Sequence, residues 1–189
     1  METGVAPDTS LRERLAAAPS HSGTAFDTHL EATAALLRAW GARGALELAG
    51  RYHSVYGNPH GRLALASREA RELIPIIGAE AERLVWLFAE LDRGSLARPA
   101  EIALVSGERI AVSGQVHADL VHLHAANELE QATRTGVDCR LLEPLRPWLC
   151  PAALDALERQ RAVGRPAPSW LAKRYRRLAR RSARLFGAR

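Results

Sequence analysis

SGQVHADLVHLHAANELEQATR, residues 113–134, decides the fold. It reads as one long helix with Ser113 as its N-cap. His117, His124, Glu128 and Gln131 follow one another at offsets of seven, four and three, so they share a face, with Asn127 beside it. His122 points elsewhere, roughly with Asp119, and Leu120, Leu123 and Leu129 mark the apolar side. Two readings of the polar face stay open. If it is solvated it needs no explanation. If it is buried, its groups need partners, and a site is the usual reason to bury them.

Outward from this helix the pattern stays helical. EIALVSGERIAVSG just before it is the exception: Ile102, Leu104, Ile110 and Val112 flank a turn containing Gly107, the pattern of a small β-hairpin. Further upstream, AEAERLVWLFAELDR and ASREARELIPIIG read as helices, the latter broken near its end by Pro75. GALELAGRYHSVY is a helix stopped by GNPHG. DTHLEATAALLRAW is a helix capped by Asp27, with Leu30, Ala34 and Leu37 at helical spacing and Gly41 as its stop. LRERLAAA is a short helix ending at Pro19. Downstream, EPLRPWLCPAALDALERQRAV holds one or two short helices, GRPAP is a hinge, and SWLAKRYRRLARRSARLF is a last helix. The chain is therefore expected to be all-α, a helical bundle with one inserted β-hairpin. Its expected divisions are an N-terminal extension over 1–19, a helical domain over 20–162 and a basic amphipathic helix over 163–189.

Composition narrows the class. A chain of 189 residues, 47% hydrophobic and 25% charged, is large enough for one domain with a real core. It has no apolar run of about 18 residues, and its start lacks the basic-then-apolar order of a secretory signal. Cys139 and Cys150 are too few for a disulfide framework or a Cys-rich zinc site. A cytoplasmic protein is expected. The net charge is +5, but the nine basic residues from Arg165 onward, with no acid among them, leave the rest at −4. A specific nucleic-acid partner is thus not expected. The basic tail, with Leu171, Tyr175, Leu178 and Leu185 along one side, offers a face able to contact an anionic surface.

Seven histidines are spread through the chain: His21, His29, His53, His60, His117, His122 and His124. His29, His53 and His124 fall on three different helices, and helices with imidazoles directed into a bundle are a common way to hold a metal. No pair has the spacing of an HExxH motif. Glu128 or a free histidine is the candidate for acid–base work.

HSGTAFDTHLEATAALLRAWG followed by LELAGRYHSVYGN resembles the opening of an uncharacterised family related to the HD-domain proteins. The shared features are a His-Ser-Gly loop, a helix with His-Leu, a Trp-Gly helix end and Ala-Gly-x-x-His-Ser-x-Tyr-Gly. RLVWLFAELDR and HLHAANELEQ are similar to its later helices, so the resemblance covers residues 20–132. It implies an HD-like helical domain of the kind that holds one or two metals and includes phosphohydrolases and di-iron oxygenases. His29 resembles the first ligand and His53 the histidine of the His-Asp pair. Ser54 stands where that pair has its Asp, and His124 stands near the later Asp. The loss of the pair's carboxylate leaves three histidines, His29, His53 and His124, which suit one iron or zinc ion with an open position. His60 would then serve catalysis beside His53 and Glu128, and His21, Tyr56, Asn58 and Asn127 would contact substrate. The expected function is a metal-dependent enzyme acting on a small metabolite, hydrolysis ahead of an iron-dependent oxygenase. A metal-free acid–base enzyme or a non-catalytic regulatory protein are the alternatives.

Overall fold

The computed structural model describes residue 11 and residues 13–14, 26–57, 65–67, 71–135 and 139–163. The basic tail, the expected hinge before it and the loop residues His21, Asn58 and His60 lie outside the described residues. So does most of the expected first helix, of which Leu11, Glu13 and Arg14 are helical.

The order is α1 (Phe26–Ala39), α2 (Gly44–Tyr52), α3 (Ile74–Glu90), a 3-10 turn over Arg93–Ala97, β1 (Glu101–Ala103), β2 (Arg109–Ala111), α4 (Gly114–Thr135), a longer 3-10 segment over Cys139–Trp148, and α5 (Pro151–Val163). The two strands pair antiparallel in the register Glu101↔Ala111, Ile102↔Ile110 and Ala103↔Arg109. The protein is all-α with a small hairpin, as the patterning predicts. Among the described residues no helix is long and apolar enough to cross a membrane.

α4 is the axis of the fold. It packs against α1, α2, α3, α5 and both 3-10 segments. Leu120, Val121, Leu123, Ala125 and Ala126 are all fully buried, so α4 is enclosed on most of its circumference, as an interior helix is. The polar face of 113–134 is therefore not a solvated one. Ser113 Oγ accepts the Val116 N–H at 3.3 Å, confirming the cap.

Three local outcomes differ from expectation. Asp27 lies inside the first turn of α1 and not at its cap; its carboxylate instead accepts from Arg51 at 2.6 Å, tying α1 to α2. α2 ends at Tyr52, before the expected Tyr56, and the chain turns over His53–Tyr56. Pro75 opens α3 where a break was expected, because proline's missing N–H costs nothing in a first helical turn. The break inside α3 falls at Gly78, at φ 81 and ψ 160, a conformation almost reserved for glycine. Gly41 does end α1: at φ 77 it donates to Arg38 O while Ala42 N donates to Leu37 O, the Schellman closure.

α1 and α2 pack closely at Gly50, where a Cβ would meet Leu37 Cδ1 at 2.6 Å and the Ala34 backbone at 3.2 Å. This contact fixes where α2 ends relative to α1 and hence where His53 enters the interior.

Candidate functional site

Behind the helix crossing lies a patch of polar side chains drawn from four parts of the chain. α1 supplies His29, the end of α2 supplies His53, the 3-10 turn after α3 supplies Arg93, and α4 supplies His124, Asn127, Glu128 and Glu130. His53 is 1% exposed and His124 5%. Polar groups are buried at this density only when they answer one another or await a ligand.

His29 and His53 meet ring to ring, with centroids 5.1 Å apart in an edge-on arrangement. His29 Nδ1 donates to Glu130, and Arg134 binds the same carboxylate one turn further along α4. Burial alone would raise the Glu130 pKa; the hydrogen bonds from His29 and Arg134 outweigh it and hold the carboxyl below its ordinary value. His53 is held at both nitrogens. Nδ1 faces Gly50 O at 2.8 Å, and Nε2 faces Asn127 Oδ1 at 3.1 Å. Phe88 closes a further side, its ring centroid 5.6 Å away.

Two oxygens facing one imidazole suit the cation, which donates from both nitrogens. Burial opposes that state most strongly, aided by the charges of His29 and Arg93, and pulls His53 down to about 3. Neutral His53 donates through Nδ1 to the carbonyl. The Asn127 oxygen that faces His53 Nε2 also accepts from Gln131 at 3.1 Å, and the Asn127 nitrogen donates to Glu128 at 3.3 Å.

His124 differs from the other two. Among the described residues its Nδ1 is buried without a hydrogen-bond partner, and Glu128 Oε1 lies 3.9 Å away. Burial and then the charge of Arg93 pull its pKa down to about 3, so it is neutral in ordinary conditions. Burial raises Glu128 above its ordinary value, against the opposing pull of Arg93. The pair is a neutral imidazole beside a carboxyl that burial makes hold its proton more readily than in water.

Arg93 is the residue that sequence reasoning missed. It follows the apolar run LVWLFAELD and has the look of a surface charge at a helix end. Instead it folds back onto the end of α3. Nη1 donates to Phe88 O at 2.6 Å and Leu91 O at 3.1 Å, and the guanidinium lies 3.7 Å from the Phe88 ring centroid. Burial lowers its pKa to about 10, with Glu128 and Asp92 pulling the other way. A lone Arg closing a strongly apolar helix was the only available signal.

The expected residues divide as follows. His29 and His53 are brought together, and His124, Asn127 and Glu128 join the same patch. The three-histidine metal set is not assembled. Among the described residues no group of three or more His, Cys, Asp and Glu side chains is disposed to hold a metal ion. His53 Nε2 is turned to Asn127, His124 Nδ1 to Glu128, and a guanidinium sits in the field of both imidazoles. His29, His53 and His124 as placed do not converge on one ion. Tyr56, expected to contact substrate, donates its hydroxyl to Glu82 at 3.1 Å. That carboxylate is fully buried and also pairs with Arg71, so Tyr56 belongs to a structural clamp between α3 and the segment before it. Burial pushes its hydroxyl up to about 12. His117 Nε2 donates to Leu96 O, 3.0 Å away, and the ring packs edge-on against Trp148. His122 bridges Ala118 O and the Cys150 N–H. Both are structural.

Residues 10–93 match a family described as a domain of unknown function, DUF6817. The match spans a little under half of the chain; it takes in His29 and His53, ends on Arg93 and leaves α4 outside. No curated protein matches the chain, and no solved structure does.

Proposed function

We propose that the protein is a metal-free acid–base enzyme acting on a small metabolite. The observation that carries this reading is the pairing of His124 with Glu128. Burial raises the Glu128 carboxyl above its ordinary value, the direction that suits a general acid–base, and 3.9 Å away the neutral His124 imidazole, without a hydrogen-bond partner at Nδ1 among the described residues, is free to orient a substrate. His53, held at both nitrogens, positions Asn127 and through it Glu128. His29, oriented by Glu130 as a catalytic histidine is oriented by its carboxylate, is the second imidazole of the site.

Deuterium incorporation tests the reading without a known substrate. The full-length protein, treated with chelator, is incubated in heavy water with a panel of small keto acids and followed by NMR. Protein-dependent exchange at carbon is expected, and it is expected to fall by at least two orders of magnitude in His124→Ala and in Glu128→Gln, the usual size of a general acid–base contribution. Exchange that survives both variants, or that needs added metal, sinks the proposal.

A second reading has one observation in its favour. His29 and His53 each face an oxygen through Nδ1, Glu130 in one case and Gly50 O in the other, which is how metal-binding histidines are held. The resemblance to HD-domain proteins supports the same reading, a metal-dependent hydrolase or oxygenase. Elemental analysis decides it: one or more equivalents of iron or zinc, lost in His29→Ala and His53→Ala together, would establish it.

A further inference from the structure

His124 and Glu128 stand one helical turn apart on α4 and do not meet. His124 Nδ1 lies 3.9 Å from Glu128 Oε1, beyond hydrogen-bond reach. Among the described residues that nitrogen is buried with no partner. The other interior histidines are answered: His53 by Gly50 O and Asn127, His117 by Leu96 O, and His122 by Ala118 O and the Cys150 N–H. A buried nitrogen left unanswered costs about 1–3 kcal/mol, so its place on α4 calls for a reason. Glu128 Oε1 accepts from Asn127 Nδ2 at 3.3 Å, and a carboxyl oxygen takes a second hydrogen bond as well. Glu128 keeps 17% of its side chain exposed and His124 only 6%, so the pair is reached from the Glu128 side. One oxygen atom about 2.8 Å from both Nδ1 and Oε1 would link them, with an angle of about 90° at that atom.

Which atom fits follows from who donates. If the carboxyl holds the proton, it donates to the guest, and the guest donates to the lone pair of Nδ1. If Nδ1 carries the hydrogen, the guest accepts from it and donates to the carboxylate. A hydroxyl serves in both arrangements. A carboxylate or phosphate oxygen only accepts, and an ammonium only donates. We infer that His124 and Glu128 together receive a hydroxyl oxygen, that of a small alcohol substrate or of a reacting water. The inference rests on the acid–base reading for what becomes of that hydroxyl, and not for its binding. It also narrows what stands at the reacting end: a hydroxyl next to the carbon whose proton exchanges, or water itself.

The test is a titration of the full chain with ethylene glycol, set against its dimethyl ether, which has the oxygens without the O–H groups, and against sodium acetate. The readouts are the His124 ring-nitrogen resonances and, by water-oxygen relaxation, the long-lived waters. Ethylene glycol should shift the His124 resonances saturably, and the ether and acetate should not. A long-lived water displaced by the glycol marks a substrate hydroxyl; a water that the glycol leaves in place and His124→Phe removes marks water as the occupant. His124→Phe, which keeps a ring and loses both nitrogens, should weaken glycol binding about tenfold or more. Glu128→Gln keeps a donor and an acceptor without a titrating proton, so it should bind within about threefold of wild type while losing deuterium exchange. A wild type with neither glycol binding nor a water that His124→Phe removes overturns the inference, as does a larger response to acetate than to glycol. Hydroxyl binding without deuterium exchange in the wild type would leave this inference standing and remove the acid–base function; exchange without hydroxyl binding would do the reverse.

Discussion

Acidification should unfold this protein through its buried histidines. His53 and His124 are both neutral and both held near 3 in the folded state, whereas an unfolded histidine titrates at about 6.5. Between those values the unfolded chain binds protons that the folded chain refuses. Stability therefore rises with pH across that window and falls as pH is lowered through it. From pH 7 to pH 5 each histidine should remove about 2 kcal/mol, or about 4 kcal/mol for the two. That is a large part of the roughly 5–15 kcal/mol by which a domain is stable. Glu128 acts in the opposite sense, because its folded pKa is raised and the folded state keeps its proton longer. Urea unfolding followed by circular dichroism at pH 7, 6 and 5, on wild type and His124→Gln, separates the terms. The variant lacks one of the two proton sinks, so it should lose about 2 kcal/mol less than wild type over the interval. If the two proteins lose stability in parallel, His124 is not a buried neutral imidazole and the description of the site is wrong.

Other substitutions probe the frame around it. Gly50→Ala should destabilise by about 1–3 kcal/mol, since its methyl would press on Leu37 and the Ala34 backbone; chemical denaturation measures it. Gly78→Ala should cost about 1–3 kcal/mol because of the backbone region Gly78 occupies, and an unchanged midpoint would mean that α3 runs straight through. In the Tyr56–Glu82–Arg71 clamp the two ends should differ. Arg71→Ala takes the cation from a fully buried carboxylate that keeps the Tyr56 hydroxyl, and should cost about 1–3 kcal/mol. Glu82→Gln releases a half-exposed guanidinium to water and should cost less, so the reverse order of unfolding midpoints would refute the clamp.

Much of the architecture was legible because it rests on local chemistry. Gly41 stops α1 for a backbone reason visible in the sequence, Ser113 caps α4 through its own hydroxyl, and the alternation around Gly107 specifies the hairpin. Pro75 was misread because proline marks both the first turn of a helix and its interruption, and only the following residues' packing tells which. The site was half legible. Offsets of seven, four and three placed His124 and Glu128 on one face, but their burial depends on α1, α2 and the segment after α3 closing over it. Arg93 was invisible for the same reason. Nothing near it in sequence shows that its side chain turns inward onto Phe88.

The enclosure of α4 has a consequence for how the bundle finds its register. A helix lined with Leu120, Val121, Leu123, Ala125, Ala126 and Leu129 presents apolar surface in nearly every direction. Hydrophobic contact alone then distinguishes poorly between one rotation about its axis and the next. The polar contacts do distinguish them: a rotation or a slip by one residue parts Glu130 from His29 and Asn127 from His53, and the buried His53 Nε2 then loses the partner it faces. The groups that carry the chemistry thereby also act as the keys that let α4 seat in a single orientation.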